Sequence, residues 1–393
     1  MGKVSLVLQR ICRYVRILLC AKKVWALPPR SAVLVYDHAG SRHLARTMDL
    51  VQQSPVLAIR GEELNLAVLQ RAMFSKGSMA DAYEDCFIAC VQPNLILTFI
   101  DNSPRFYLLA DRHPSLRTMF VQNGWRGGLW DVFQATLKRQ PEQLSRRRVD
   151  VMCTYGAAIG REYTRHMRGH PVVTGSFLCN EYPQQQNLVK NRRIAYISIY
   201  TGSNNAVEQA VAVVLPALLE YSRAKAIPLV VVGRSDGAAE EQYYRNVLGE
   251  GFAFRRRDAQ HSSYKYLDES EVSVSIDSSL GYETVARGNK NAFFSILGVF
   301  APSEEFNFGW PGTYADQGPF WTNQPDPAAF RRILDHLFAI DAAQWRAELT
   351  AHRYDDLMTF DPGNAILKNT LQLELSAGRA TEQQATAVSC AGR

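Results

Sequence analysis

Residues 272–288 read Val-Ser-Val-Ser-Ile-Asp-Ser-Ser-Leu-Gly-Tyr-Glu-Thr-Val-Ala-Arg-Gly. The opening residues have the β-branched character of a buried strand, and the residues after Asp277 have helical spacing. The strand therefore delivers Asp277, Ser278 and Ser279 to the first turn of a helix. Free N–H groups and the positive end of the helix dipole gather there, and they accept an anion such as a nucleotide phosphate. Two readings stay open. The hydroxyls and amides form a phosphate cup, or Asp277 or Ser278 only N-caps the helix.

Strands and helices alternate on both sides of this turn. The second half predicts strands at 194–199, 229–232, 252–254 and 272–276, with helices over 205–225 and 240–248. The first half predicts strands at 32–36, 56–59, 95–100, 119–121 and 149–153, separated by stretches with helical periodicity such as 64–74. Such alternation specifies α/β architecture with parallel sheets. The polar stretch 180–193, with three consecutive Gln, reads as the linker. The expectation is two Rossmann-like doubly wound domains, 31–185 on the acceptor side and 190–350 on the nucleotide-sugar side. A helical segment over 351–375 and a disordered tail over 376–393 follow. Two α/β domains of similar size bind ligand in the cleft between them, at the carboxyl ends of their strands.

Length and composition suit this reading. The chain has 393 residues, 47% of them hydrophobic, enough to bury a core in each of two domains. Seven Cys lie scattered without C-x-x-C spacing, which favours a reducing cytoplasm. Cys86 and Cys90 are four apart but have no His or second Cys pair nearby in sequence, so no metal site is expected. Walker A and G-x-G-x-x-G sequences are absent, which removes the usual support for ATPase and dinucleotide functions. The triplets Arg146-Arg147-Arg148 and Arg255-Arg256-Arg257 lack interleaved aromatics and read as solvated charge, not as a nucleic-acid site.

The net charge of +6 is uneven, because residues 1–30 hold seven Lys or Arg and no acid. On a helical projection Val4, Val7, Leu8, Ile11, Val15, Leu18 and Leu19 share one side, opposite Arg10, Arg13, Arg16 and Lys23. The expectation is a basic amphipathic helix over 1–30, too short in apolar run to span a bilayer. It either lies on an anionic membrane surface through residues 1–27 or packs on the first domain.

The run SIDSSLGYETVARGNKNAFFS, with FGWPG at 308–312 and GPFWTN at 318–323, resembles the bacterial surface-carbohydrate-biosynthesis proteins that include the retaining β-Kdo transferases of lipopolysaccharide and capsule assembly. VQNG at 121–124, the segment 154–163, Gly175-Ser176 and VGRSD at 232–236 are similar too, so the resemblance covers roughly residues 30–350. It implies a GT-B fold, a CMP-activated keto-sugar acid (CMP-Kdo) as donor substrate and transfer without a metal ion. No separate cofactor and a glycan acceptor are expected, and the cysteine usage and basic N-terminus add the expectation of a cytoplasmic location peripheral to the inner membrane.

Retention by double displacement needs a carboxylate nucleophile and a proton-transfer group. Asp236, on a Gly-flanked loop after the strand at 229–232, is the candidate nucleophile, and its alternative role is a helix N-cap. Glu162 resembles the family's acid/base carboxylate; alternatively it pairs with Arg165 or His166. His261 is assigned to the donor's phosphate or carboxylate, or is simply solvated. Ser278, Ser279 and Gly281 belong to the phosphate turn, and Glu283 to the ribose hydroxyls or the helix dipole. Asp101 is the next carboxylate in line. The aromatics of 308–311 and 318–321 stack on a sugar or cytosine, or fill core. Two other functions compete: polyol-phosphate transfer from a CDP donor, and a catalytically silent assembly scaffold.

Overall fold

The computed structural model describes residues 17–39, 49–127, 131–185, 188–202, 205–259, 261–301 and 303–376. Its first half contains β1 (Lys22–Val24), β2 (Val33–Tyr36), β3 (Val56–Leu57), β4 (Glu63–Asn65), α1 (Met79–Val91), β5 (Leu95–Thr98), β6 (Arg117–Val121), β7 (Arg148–Thr154), α2 (Ala157–Thr164) and β8 (Arg168–Val173). The second half contains β9 (Asn191–Ile197), α3 (Asn205–Lys225), β10 (Leu229–Val232), α4 (Ala238–Leu248), β11 (Phe252–Arg255), α5 (Ser262–Asp268), β12 (Ser270–Ser275), α6 (Ser279–Ala286), β13 (Lys290–Phe294), β14 (Trp321–Thr322), α7 (Pro327–Ala339) and α8 (Ala342–Ala351).

Two six-stranded sheets result, ordered β3-β2-β5-β6-β7-β8 and β11-β10-β9-β12-β13-β14, with every pairing parallel. The second is the doubly wound nucleotide-binding order, which reverses direction between β9 and β12. Strands β2, β5, β10 and most of β12 are buried on both faces. On β12, Val272 and Val274 join the core beneath α3, while Ser273 and Ser275 are held by Asn291 at 2.8 and 3.0 Å. Gly281 makes this packing possible: a Cβ there would meet Ser275 Oγ at 2.3 Å, so α6 can lie this close to β12 only without a side chain.

After α8 the chain returns to the first domain. Thr359 N donates to Tyr155 O at 2.9 Å, and Asn180 Nδ2 to Asn364 Oδ1 at 3.0 Å. Gly175 has φ +69 and no room for a Cβ, which would lie 2.2 Å from Thr359 O. The helix over 365–376 places Leu367 and Leu371 in a core cluster with Val33 and Val35.

Aromatic exchange joins the halves. Trp125 of the first domain stacks on Tyr282 of α6 at 3.6 Å, and Trp310 of the second packs on Phe133 at 5.2 Å in the first domain's core. Phe308, Phe320 and Trp321 pack on one another in the second core, so the aromatics of 308–321 fill core instead of stacking on a ligand.

Three expectations change. Of the helix over 1–30, residues 1–16 lie outside the described residues; 17–20 are helical, but Lys22–Val24 is a strand paired with β4. Arg147 is buried, not solvated. The strands β8, β13 and β14 were not expected from pattern. The tail beyond 376 lies outside the described residues.

Below the cleft, Arg287 is wholly buried and bonds Asp268 through Nε (3.2 Å) and Nη2 (2.5 Å) and the Tyr182 carbonyl through Nη1 (2.8 Å). Removing one partner of a buried pair leaves the other uncompensated. Arg287→Met should therefore cost about 3–5 kcal/mol in chemical denaturation. A loss no larger than that of an exposed control such as Arg331→Met would contradict this.

Candidate functional site

A cavity of about 670 Å³ opens between the domains at the carboxyl ends of the strands. Its second-domain wall is the point where strand order reverses: Ile197 ends β9 and Ser198 and Ile199 follow it, and Asp277, Ser278 and Ser279 follow β12. Arg234 and Arg257 stand on the same wall. The first domain contributes Phe99, Asn123, Asp131, Tyr155 and Ser176.

Ser278 caps α6, its Oγ accepting from Leu280 N at 3.3 Å. Both readings of this turn are thus compatible, since the cap faces the cavity. Asp277 is exposed to the cleft at the head of this turn. Glu283, one turn further along α6, is buried against the cavity and accepts from Ser176 Oγ at 2.6 Å and Tyr264 OH at 2.8 Å. Burial raises its pKa. Ser176 lies in the first domain, so this carboxylate ties the two walls together.

The carboxylate that faces this wall from the first domain is Asp131. It accepts from Phe133 N at 3.2 Å, and its Oδ2 lies 3.5 Å from Arg126 Nη1. Arg126 is already committed to Asp101, through Nε at 2.7 Å and through Nη2. Asp131 therefore shares a cation largely neutralised by another carboxylate. Burial, with Asp101 and Glu305 adding repulsion, lifts its pKa to about 6 against the pull of Arg126. A group of that pKa is half ionised near pH 6 and mostly ionised at neutrality, so it can take a proton and return it.

The other sequence candidates lie elsewhere. Asp236 is exposed, two residues past the lining residue Arg234, and does not line the cavity. Glu162 is in the last turns of α2, not at its start. Its hydrogen bond with His166 at 3.3 Å and its pair with Arg165 at 2.6 Å hold its pKa below the ordinary value, which unsuits it as an acid. His261 caps α5 and stacks near Tyr182 and Tyr264, 4.0 Å from Glu181, outside the lining. Asp101 is fully buried, taking hydrogen bonds from Tyr163 (2.6 Å) and Asn123 N (3.1 Å) besides Arg126. No substrate can reach it. Gly281 serves packing and does not reach the cavity. Of the predicted set, the structure gathers Ser278, Ser279 and Glu283. The sequence reading missed Asp131, whose signal was only an Asp shortly after a glycine-rich turn.

Two parallel Rossmann-like domains facing each other across such a cleft define the GT-B class of fold. A UDP-N-acetylglucosamine 2-epimerase structure superposes with TM-score 0.52 at 11% identity, covering 89% of this chain and 97% of that one. A glycosyltransferase from Rickettsia africae gives 0.50 at 10% identity over 88% and 98%. The wall teichoic acid polymerase TagF, solved with CDPG, gives 0.50 at 10% over 96% and 99%. These likenesses show the shared fold. No curated protein matches the chain in sequence. The chain belongs to the family described as "putative O-antigen biosynthesis protein", whose model matches residues 119–375.

If the turn at Ser278 and Ser279 holds phosphate, CMP should stabilise the protein, by roughly 2.7 kcal/mol at a hundredfold excess over Kd. Ser278→Ala combined with Ser279→Ala should diminish the shift in melting temperature. An equal shift in both proteins removes the phosphate from this turn.

Proposed function

We propose that this chain transfers a glycosyl group from a nucleotide sugar to a bacterial surface polysaccharide at the interdomain cleft. The observation that carries the reading is the pairing of an anion-accepting wall with an ionisable carboxylate facing it: Ser278, Ser279, Arg234 and Arg257 on one side, Asp131 on the other. Membership of the O-antigen family supplies the polysaccharide.

The donor we favour is a CMP-activated keto-sugar acid such as CMP-Kdo. Such a donor carries two anionic groups, a phosphate and a sugar carboxylate, and the wall offers two guanidiniums with the α6 N-terminus to receive them. Glu283 accepts from the ribose hydroxyls beside its bonds to Ser176 and Tyr264. Asp131, ionised above pH 6, removes the proton of the acceptor hydroxyl as the glycosidic bond forms. Retention through a covalent adduct on Asp236 requires its loop to fold inward from the rim, so we assign proton transfer to Asp131 and keep Asp236 as the nucleophile to be tested. Work takes place at the cytoplasmic face of an anionic membrane, where acceptor glycans are assembled.

Turnover with CMP-, CDP-, UDP- and GDP-linked donors tests the reading directly. Asp131→Asn should lower kcat by about 10²–10⁴-fold and abolish the limb of the pH profile near 6, while CMP binding persists. The sign follows from the raised pKa: activity rises as pH increases through 6 because the base is the ionised form. Wild-type rates in Asp131→Asn would overturn the assignment, and a sugar-mass adduct surviving in Asp236→Ala would exclude Asp236 as nucleophile.

A further inference from the structure

The first domain leaves several large apolar side chains exposed along β1 and the helix that follows β4. The helical turn over 17–20 sits on the loop at Gly61, where a Cβ would lie 2.5 Å from Ile17 Cγ1. The chain then runs into β1, which pairs in parallel with β4, and Asn65 Nδ2 clamps Ala26 O at 2.7 Å. From Asn65 the helix Leu66–Ala72 leads to Met73 and Phe74. Along this path Trp25 is 74% exposed and Phe74 86%, with Leu18, Leu19 and Met73 also exposed.

A single exposed Leu is ordinary, but a Trp and a Phe held open on one small substructure beside three further large apolar side chains is a surface that an apolar phase would cover. Its charge decides the occupant. Exposed Lys22, Lys23, Arg30, Arg71 and Lys76 interleave with these side chains, against Glu62 and Glu63, and Lys22 already pairs with Glu63 at 3.0 Å. The preceding stretch adds Lys3, Arg10, Arg13 and Arg16 with no acid. Aromatic side chains flanked by Lys and Arg match the boundary between acyl chains and anionic headgroups.

We infer that this folded edge, residues 17–27 with 71–76, docks on an anionic lipid bilayer, with Trp25 and Phe74 inserting at the headgroup boundary and Lys22, Lys23 and Lys76 meeting the headgroups. The inference adds a second, folded contact from another part of the sequence to the basic segment at the start of the chain. It rests on the membrane setting proposed above and not on the donor, so its failure and that of the glycosyl-transfer reading are separable.

Full-length protein and vesicles of phosphatidylcholine with or without phosphatidylglycerol provide the test. Wild type should co-sediment with the anionic vesicles and far less with the neutral ones. Phe74→Ser and Trp25→Ser should each weaken binding about tenfold or more, as loss of one inserted aromatic implies, with Phe74→Leu largely restoring it. Both positions are exposed, so unchanged melting temperature and glycosyl transfer to a soluble acceptor are expected. Trp25→Phe should keep binding but lose the component of tryptophan quenching by brominated lipids. Undiminished binding in the Trp25→Ser, Phe74→Ser double variant would leave residues 1–16 as the whole anchor and overturn the inference. A wild-type dimer dispersed by the same substitutions, without vesicle binding, would give the edge to a second copy and overturn it equally.

Discussion

Arg287 is the interaction on which the geometry of the cleft depends. Its guanidinium is removed from water and must find its donors' partners inside the protein, because an uncompensated buried charge is costly. It finds them in Asp268 at the end of α5 and in carbonyls of the segment that leaves the first domain, Cys179, Tyr182 and Pro183. Tyr182, Tyr264 and Phe360 pack around it within 5.1–5.6 Å, one from the exit segment, one from α5 and one from the returning chain. A planar donor fork meets these demands together in a way an ammonium group does not.

The helix that ends at Arg287 begins at the cavity. Fixing the carboxyl end of α6 also fixes its amino end, since eight residues of helix act as a short rigid rod of about 12 Å. Between the two ends, Glu283 reaches Ser176 of the first domain and Tyr282 lies under Trp125. The wall proposed to hold phosphate is therefore braced at several points along one element. The Lys138–Glu305 pair at 2.8 Å adds a further tie between domains beside the opening. Interdomain contacts of this kind hold the spacing between Asp131 and the opposite wall, which proton transfer requires to be set to within ångströms.

The sequence revealed most where local pattern and burial agree. Helix 205–225 and strand 229–232 matched the observed elements residue for residue because the helix packs an apolar stripe into one core and the strand is buried on both faces. Strand β8 escaped notice because it runs along a sheet edge, begins Arg-Gly-His, contains Pro171 and has no fully buried residue, so neither alternation nor apolar content marks it. The turn at 277–279 was legible as a strand-to-helix junction, and the fold places it on the cavity wall. Its partner across the cleft was not, because Asp131 gains its meaning from Asp101, 30 residues earlier, competing for Arg126. Ser176 and Glu283, 107 positions apart, meet only through the fold.

That Glu162 and Asp236 fall outside the cavity lining was hidden from the sequence for one physical reason. Both were assigned by chemistry that a carboxylate can perform, whereas what a carboxylate does depends on which donors surround it. Glu162 has His166 and Arg165 one turn further on, where α2 ends, and both hold its pKa below the ordinary value. Asp236 is exposed, two residues beyond the lining residue Arg234. Asp131 is buried beside a cation already claimed by Asp101, and that shortage of compensating charge raises its pKa and underlies the role proposed for it. The proton transfer proposed for this cleft thus rests on an imbalance between two carboxylates and one guanidinium, which no spacing in the linear sequence encodes.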